Sequence, residues 1–148
     1  MNKKTSTPED FRERLAQLRE ALLRLHKALV DSERISYEQN IGTIPSPNHF
    51  LQLLTNDPWF AWLHPVSELI VAMDEALDAK AKTPLTVETA ALLIGRTSAL
   101  LTASETGEGF ARHYFDALQR DPDVVMAHAA AAKWFRQRPA RDASNPRG

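Results

Sequence analysis

The chain has 148 residues, of which 43% are hydrophobic and 25% charged, and these fractions are typical of one globular domain rather than a disordered or membrane protein. Its 18 basic and 19 acidic residues nearly cancel, so its overall charge does not direct it to nucleic acid or to an anionic membrane. The absence of cysteine excludes disulfides, thiolate catalysis and zinc sites built on sulfur, and it suits the cytoplasmic location that we expect. We expect no export signal, because Glu9 and Asp10 stand where its apolar core would lie.

A long first helix is predicted from Pro8 to about Tyr37. Thr7 provides a hydroxyl cap, and proline is favoured at the first helical position. Apolar residues follow at alternating spacings of four and three, which is typical of a helix in a bundle. They are Phe11, Leu15, Leu18, Leu22, Leu25 and Leu29. This leucine seam also suggests homodimerisation as a hypothesis.

Prolines divide the middle of the chain into shorter helices. Pro45 and Pro47 predict a loop, because each lacks a backbone donor and restricts the residue before it. A short helix is predicted over 48–55, and Asp57-Pro58 predicts a new start near Trp59. Pro65 predicts a break at His64, after which a helix runs to about Lys82.

Two further stretches of helix complete the chain. Thr86 is a cap for a helix that reaches about Ala103. Another stretch covers about 108–137 and is interrupted at Asp121-Pro122. No segment alternates apolar and polar residues as a strand would. The sequence therefore predicts an all-α bundle of about four main helices plus one or two short ones.

One domain is expected over residues 8–137, between a flexible N-terminus of residues 1–7 and a disordered basic tail of residues 138–148. The basic residues around the tail are Lys133, Arg136, Arg138, Arg141 and Arg147. Basic groups beside aromatic residues can bind nucleic acid, but a solvated terminus explains them more simply. Nucleic acid and membrane are therefore not expected partners.

Catalytic motifs are absent from the sequence. It contains neither a Gly-x-Ser-x-Gly elbow nor a phosphate-binding glycine loop. The Glu-x-x-His motif of helical di-metal sites is missing too. We therefore expect no catalytic residue, no metal and no cofactor. The alternative is a metal- or cofactor-dependent enzyme whose side chains would have to converge, namely His26, Glu33, His64 and Glu68.

An unusual concentration of aromatic and polar residues lies in the middle of the chain, in the runs SYEQNIG, PNHF and DPWFAWLHP. Such residues either line a site for a ligand or partner or form a plug at the open end of the bundle. Arg96 follows Gly95 in an apolar helix and is predicted to pair inside with Glu38 or Glu68. The candidate binding residues are Tyr37, Glu38, Trp59, Trp62, His64, Glu68 and Arg96.

Three runs, YEQNIG, DPWFAWLHPVSELI and YFDALQRDPDVVMAHAA, resemble an uncharacterised family of small all-helical bacterial proteins. The resemblance covers roughly residues 10–135. It implies a bacterial domain that stands alone, and it brings no activity or site residue with it. The expected function is a non-catalytic module that binds a protein partner or a small molecule. This function predicts that Trp59 or Trp62 is at least partly exposed or lies in a subunit interface.

Overall fold

The structure, a computed structural model, describes residues 8–137, so the predicted flexible N-terminus and basic tail lie outside the described residues. Within that range the chain is helical, and the predicted all-α bundle is confirmed. No helix in this part of the chain is long and apolar enough to cross a membrane. The helices are α1 Pro8–Asn40, α2 Pro47–Asn56, a 3₁₀ segment Pro58–Leu63, α3 His64–Leu77, α4 Val87–Leu100, α5 Phe110–Arg120 and α6 Pro122–Arg136.

Polar side chains determine where several helices begin. Thr86 Oγ1 accepts a hydrogen bond from Thr89 N–H at 3.1 Å, and Asp121 Oδ1 accepts one from Asp123 N–H at 2.9 Å. Each supplies an acceptor for an N–H group that the first helical turn leaves without a partner. Gly109 precedes α5 with φ +60°, a conformation that favours glycine. The predicted starts after Thr86 and Asp121 are confirmed.

The predicted leucine seam of α1 forms the centre of the core. Helices α3, α4 and α6 pack against α1. The five leucines of the seam have no exposed surface, namely Leu15, Leu18, Leu22, Leu25 and Leu29. Because the chain buries the seam itself, a second copy cannot bind there. If the protein forms a homodimer, the two subunits must therefore meet at a different surface.

Helices α3 and α6 run antiparallel to α1. Near the start of α1, Arg12 Nη1 donates to the carbonyl of Leu77, the last residue of α3, at 2.6 Å. Close by, the Arg14 guanidinium lies 4.1 Å from the ring centroid of Trp134, near the end of α6. Helix α4 packs against α1 and α3. These four helices are the main members of the bundle.

Helix α3 ends at Leu77 and not at the predicted Lys82. Two contacts favour the earlier end. Arg12 satisfies the Leu77 carbonyl, and Asp78 Oδ1 accepts from Lys80 N–H at 2.9 Å, which forms a local turn. The first contact comes from another helix, so the local sequence pattern does not contain it.

The elements outside the four-helix bundle meet the end of α1 that carries Ser32 and Tyr37. The 3₁₀ segment contacts α1, α2, α3 and α5. It begins at Pro58, one residue before the predicted start at Trp59, and α3 begins at the predicted break at His64. Asp57 Oδ1 accepts from Trp59 N–H at 2.8 Å and thereby caps the segment.

Candidate functional site

The predicted aromatic cluster packs against the C-terminal end of α1. The ring of Tyr37 lies 5.7 Å from that of Trp59 and 5.5 Å from that of Phe60, measured between centroids. Phe50 of α2 lies 5.7 Å from Phe60. Phe60 is fully buried, whereas the other three rings are half-buried. Rings at these separations attract one another, so the cluster holds α2 and the 3₁₀ segment on the bundle as a plug would.

Glu38 and His64 both bind backbone groups beside this cluster. Glu38 Oε2 accepts from Ile44 N–H at 2.9 Å and lies 3.9 Å from Nε of Arg34. His64 Nε2 lies 3.0 Å from the carbonyl oxygen of Leu54. A carbonyl only accepts, so Nε2 carries the proton in this contact. Both side chains hold connections between helices together.

Trp62 contacts a different group of rings. It stacks on His113 with centroids 5.1 Å apart and planes at 16°, and it lies 5.3 Å from Phe110. Trp62 is 9% exposed and Trp59 is half-buried, so Trp59 supplies the partial exposure that the binding hypothesis expects. Within residues 8–137 the indole N–H groups of Trp59, Trp62 and Trp134 are all buried without an acceptor, so this property singles out none of them.

Glu68 and Arg96 lie on the exposed surfaces of α3 and α4. The prediction that Arg96 is buried beside a carboxylate is wrong. Helix α4 buries Leu93 and Thr97, and the helical turn of about 100° per residue directs the neighbouring Arg96 away from that face. Of the predicted binding residues, the structure brings Tyr37 and Trp59 into contact and leaves Glu68 and Arg96 outside the cluster.

The side chains of the metal-site alternative do not converge. Residues 8–137 contain no group of three or more His, Cys, Asp or Glu side chains that could hold a metal ion. His26 is half-buried in α1, and burial lowers the pKa of its imidazole. His64 binds a backbone carbonyl, and Glu68 is exposed.

Glu33, the fourth member of that set, is a buried carboxylate that pairs with an arginine at the surface, Arg120. Its Oε2 accepts from Arg120 Nη2 at 2.6 Å, and Arg120 Nε donates to Ser32 Oγ at 3.0 Å. Glu33 is only 6% exposed. The pair joins α1 to the end of α5, 87 positions later in the chain, so the sequence pattern did not reveal it.

Tyr114 and His128 form a second polar contact that sequence analysis missed. The Tyr114 hydroxyl lies 2.6 Å from His128 Nδ1, and Tyr114 is fully buried. Burial raises the pKa of the tyrosine and lowers the pKa of the histidine. Both shifts favour the neutral forms, and one hydrogen bond joins the phenol oxygen to the imidazole nitrogen. The contact ties α5 to α6.

A groove of about 610 Å³ lies between α1 and α6. This volume is within the range of about 300–1,000 Å³ that is usual for small-molecule sites. Trp134 contributes an almost completely buried aromatic ring, and Leu23 and two alanines add apolar surface. The lining residues are Gln17, Glu20, Ala21, Leu23, Arg24 and Lys27 on one side and Ala130, Lys133, Trp134 and Gln137 on the other.

The charges of the groove are unequally compensated. Glu20 Oε2 binds Arg19 Nη1 at 2.9 Å, and Lys27 Nζ binds Asp31 Oδ2 at 2.8 Å. The remaining two cations, Arg24 from α1 and Lys133 from α6, are exposed and have no ion-pair partner among the described residues. The groove therefore presents uncompensated positive charge from both walls.

The groove was not predicted from the sequence, although the residue spacing of one of its walls was visible there. Gln17, Glu20, Arg24 and Lys27 recur at spacings of three and four, which places them on one exposed face of α1. That pattern predicts a solvated helix face. Only the position of α6 beside α1 turns this face into the wall of a groove.

No family model, curated protein or solved structure matches the chain. The resemblance to the bacterial helical family therefore stays a prediction.

Proposed function

We propose that this chain is a binding module without catalytic activity and that the α1–α6 groove is its binding site for a small organic molecule. The single observation that carries the proposal is the groove itself, which combines suitable volume with four apolar and six polar or charged lining residues. Ligand sites combine apolar surface with polar groups that orient the ligand. The lack of cysteine in the sequence supports a cytoplasmic location for the module.

The polar groups in the interior support a non-catalytic function. Catalysis needs a nucleophile, acid or base that can reach a substrate. Here His64, His128 and Glu33 are each engaged in a contact between elements of the fold. These side chains have structural partners that account for their positions.

A protein-interaction module is the second candidate function, and one observation favours it. Helix α2 has ten residues, and none of them is buried. Its large apolar side chains include Leu51, which is 60% exposed. An apolar helix of a partner protein would cover this surface by packing against it. Leu51→Glu would then weaken the complex without affecting a ligand in the groove.

Native mass spectrometry of the protein purified from its source, without added ligand, tests the groove proposal first. We expect a mass excess that corresponds to a small molecule. Ala130→Trp places a large side chain in the groove and should abolish the excess. Ala91→Trp, at an exposed position of α4, is the matched control and should retain it.

A bare wild-type mass would contradict the groove proposal. A bound polypeptide that Leu51→Glu removes would favour the protein-interaction candidate instead. A small molecule that survives Ala130→Trp would show that the ligand binds elsewhere. Circular dichroism of each variant confirms that the comparison is made between folded proteins.

A further inference from the structure

We infer that the ligand of the α1–α6 groove is a small organic anion with an apolar body. This inference rests on the proposed function, and it specifies the chemical class of the ligand.

The cationic groups of the groove favour a ligand with a negative charge. Arg24 and Lys133 stand on different helices, and neither is neutralised by a carboxylate among the described residues. The single acid of the lining, Glu20, shares the Arg19 guanidinium with Asp74, whereas the lining carries three cations, Arg24, Lys27 and Lys133. A carboxylate, sulfonate or phosphate group that enters between the walls would meet two cations without an ion-pair partner and a lining in which cations exceed acids.

The apolar residues select the rest of the ligand. Leu23, Ala21 and Ala130 are half-buried and present apolar surface to the groove, whereas Trp134 is only 6% exposed and adds little. An inorganic ion would leave this apolar surface in water. A ring or short hydrocarbon attached to the anionic group would cover it, which is favourable because apolar surface then leaves water. The lining is therefore complementary to an amphiphilic anion.

The test compares two dyes that share a body and differ in charge, 1-anilinonaphthalene-8-sulfonate and the neutral N-phenyl-1-naphthylamine. Each is titrated into the full chain, and the dissociation constant is measured by fluorescence. We expect the sulfonate to bind about tenfold more tightly, since two exposed ion pairs of this kind each contribute a modest amount.

Charge variants identify the source of the difference. Arg24→Gln/Lys133→Gln should weaken binding of the sulfonate about tenfold and leave the neutral dye unchanged. Lys80→Gln/Lys82→Gln removes the same charge from exposed positions between α3 and α4 and should change neither. Ala130→Trp should prevent binding of both dyes to the groove.

The outcomes separate failure of this inference from failure of the proposed function. In one outcome, both dyes bind equally, the Arg24/Lys133 variant has no effect, and Ala130→Trp still blocks both dyes. The groove then binds ligands, but the anionic class of ligand is wrong. If neither dye responds to Ala130→Trp, the groove is not a ligand site and both proposals fail. If the Lys80/Lys82 variant weakens the sulfonate as much as the Arg24/Lys133 variant does, general charge attraction explains the selectivity and the inference is overturned.

Discussion

At the scale of single residues, two contacts between polar side chains join distant helices, and in each contact the two groups compensate one another. Glu33 is almost completely buried, and a buried carboxylate is costly unless a cation and hydrogen-bond donors surround it. Arg120 supplies the charge and also binds Ser32. Tyr114 and His128 form the second contact, and burial favours the neutral form of each side chain. These pairs join α1, α5 and α6 at defined positions.

The first prediction concerns the Glu33–Arg120 pair. Arg120→Gln leaves the buried carboxylate without its cation and should lower the free energy of unfolding by about 2 kcal/mol. Adding Glu33→Gln should restore part of the loss, because no unpaired charge remains. Urea denaturation of the two single variants and the double variant measures the coupling energy.

The exposed pair Arg112–Asp116 provides the control, because it also joins an arginine to a carboxylate, here within α5, with Nε and Oδ1 3.1 Å apart. Arg112→Gln should cost no more than about 1 kcal/mol, as is usual for surface ion pairs. Equal losses for Arg112→Gln and Arg120→Gln would show that burial does not strengthen the Glu33 contact.

At the scale of secondary-structure elements, burial differs between helices of similar length. Helix α2 has ten residues and buries none, whereas α5 has eleven and buries Tyr114 and Ala117. A cap or turn defines where each helix begins, so the local sequence does not explain why only α5 buries residues. The difference comes from packing, because α2 contacts chiefly the 3₁₀ segment.

The second prediction is that α2 opens more readily than α5. Helices with few buried apolar contacts open locally at low free energy, so their amide protons exchange sooner. Native-state hydrogen exchange should show protection factors in α2 at least about tenfold below those in α5. Equal protection would mean that α2 opens only with the whole bundle, and it would remove the main support for α2 as a partner-binding element.

At the scale of the whole molecule, stability depends on one core that is built around α1. The leucines of α1 face α3, α4 and α6. Other fully buried side chains of the core are Phe60, Val66, Met73 and Val124. Because all four main helices share this core, we expect them to unfold together. The groove lies at the outer edge of the α1–α6 contact, so filling it should leave the core intact.

The third prediction compares one substitution at two levels of burial. Leu22 has no exposed surface, and Leu22→Ala should lower the free energy of unfolding by about 3 kcal/mol through lost burial and cavity formation. Leu51 is 60% exposed, and Leu51→Ala should cost about 0.5 kcal/mol or less. Urea denaturation of both variants measures the difference, and similar losses would contradict the assignment of the α1 seam as the core.

Much of the fold was predictable because it is encoded by local signals. Capping by Thr86 and Asp121 depends on residues within one helical turn, and the Leu15–Leu29 repeat defines a single buried face. The end of α3 was not predictable, because Arg12 reaches the Leu77 carbonyl across 65 positions.

The candidate sites also differ in how far they could be predicted from the sequence. The sequence alone identified the aromatic segment with Tyr37 and Trp59, because the density of large rings is a property of composition. It could not show that Arg96 is exposed, since the orientation of α4 decides which face is buried. It could not reveal the groove either, because Arg24 and Lys133 come together only when α6 packs antiparallel to α1. The sequence therefore determined the helices and their apolar faces, whereas the packing of distant segments side by side determined the groove and the Glu33–Arg120 ion pair.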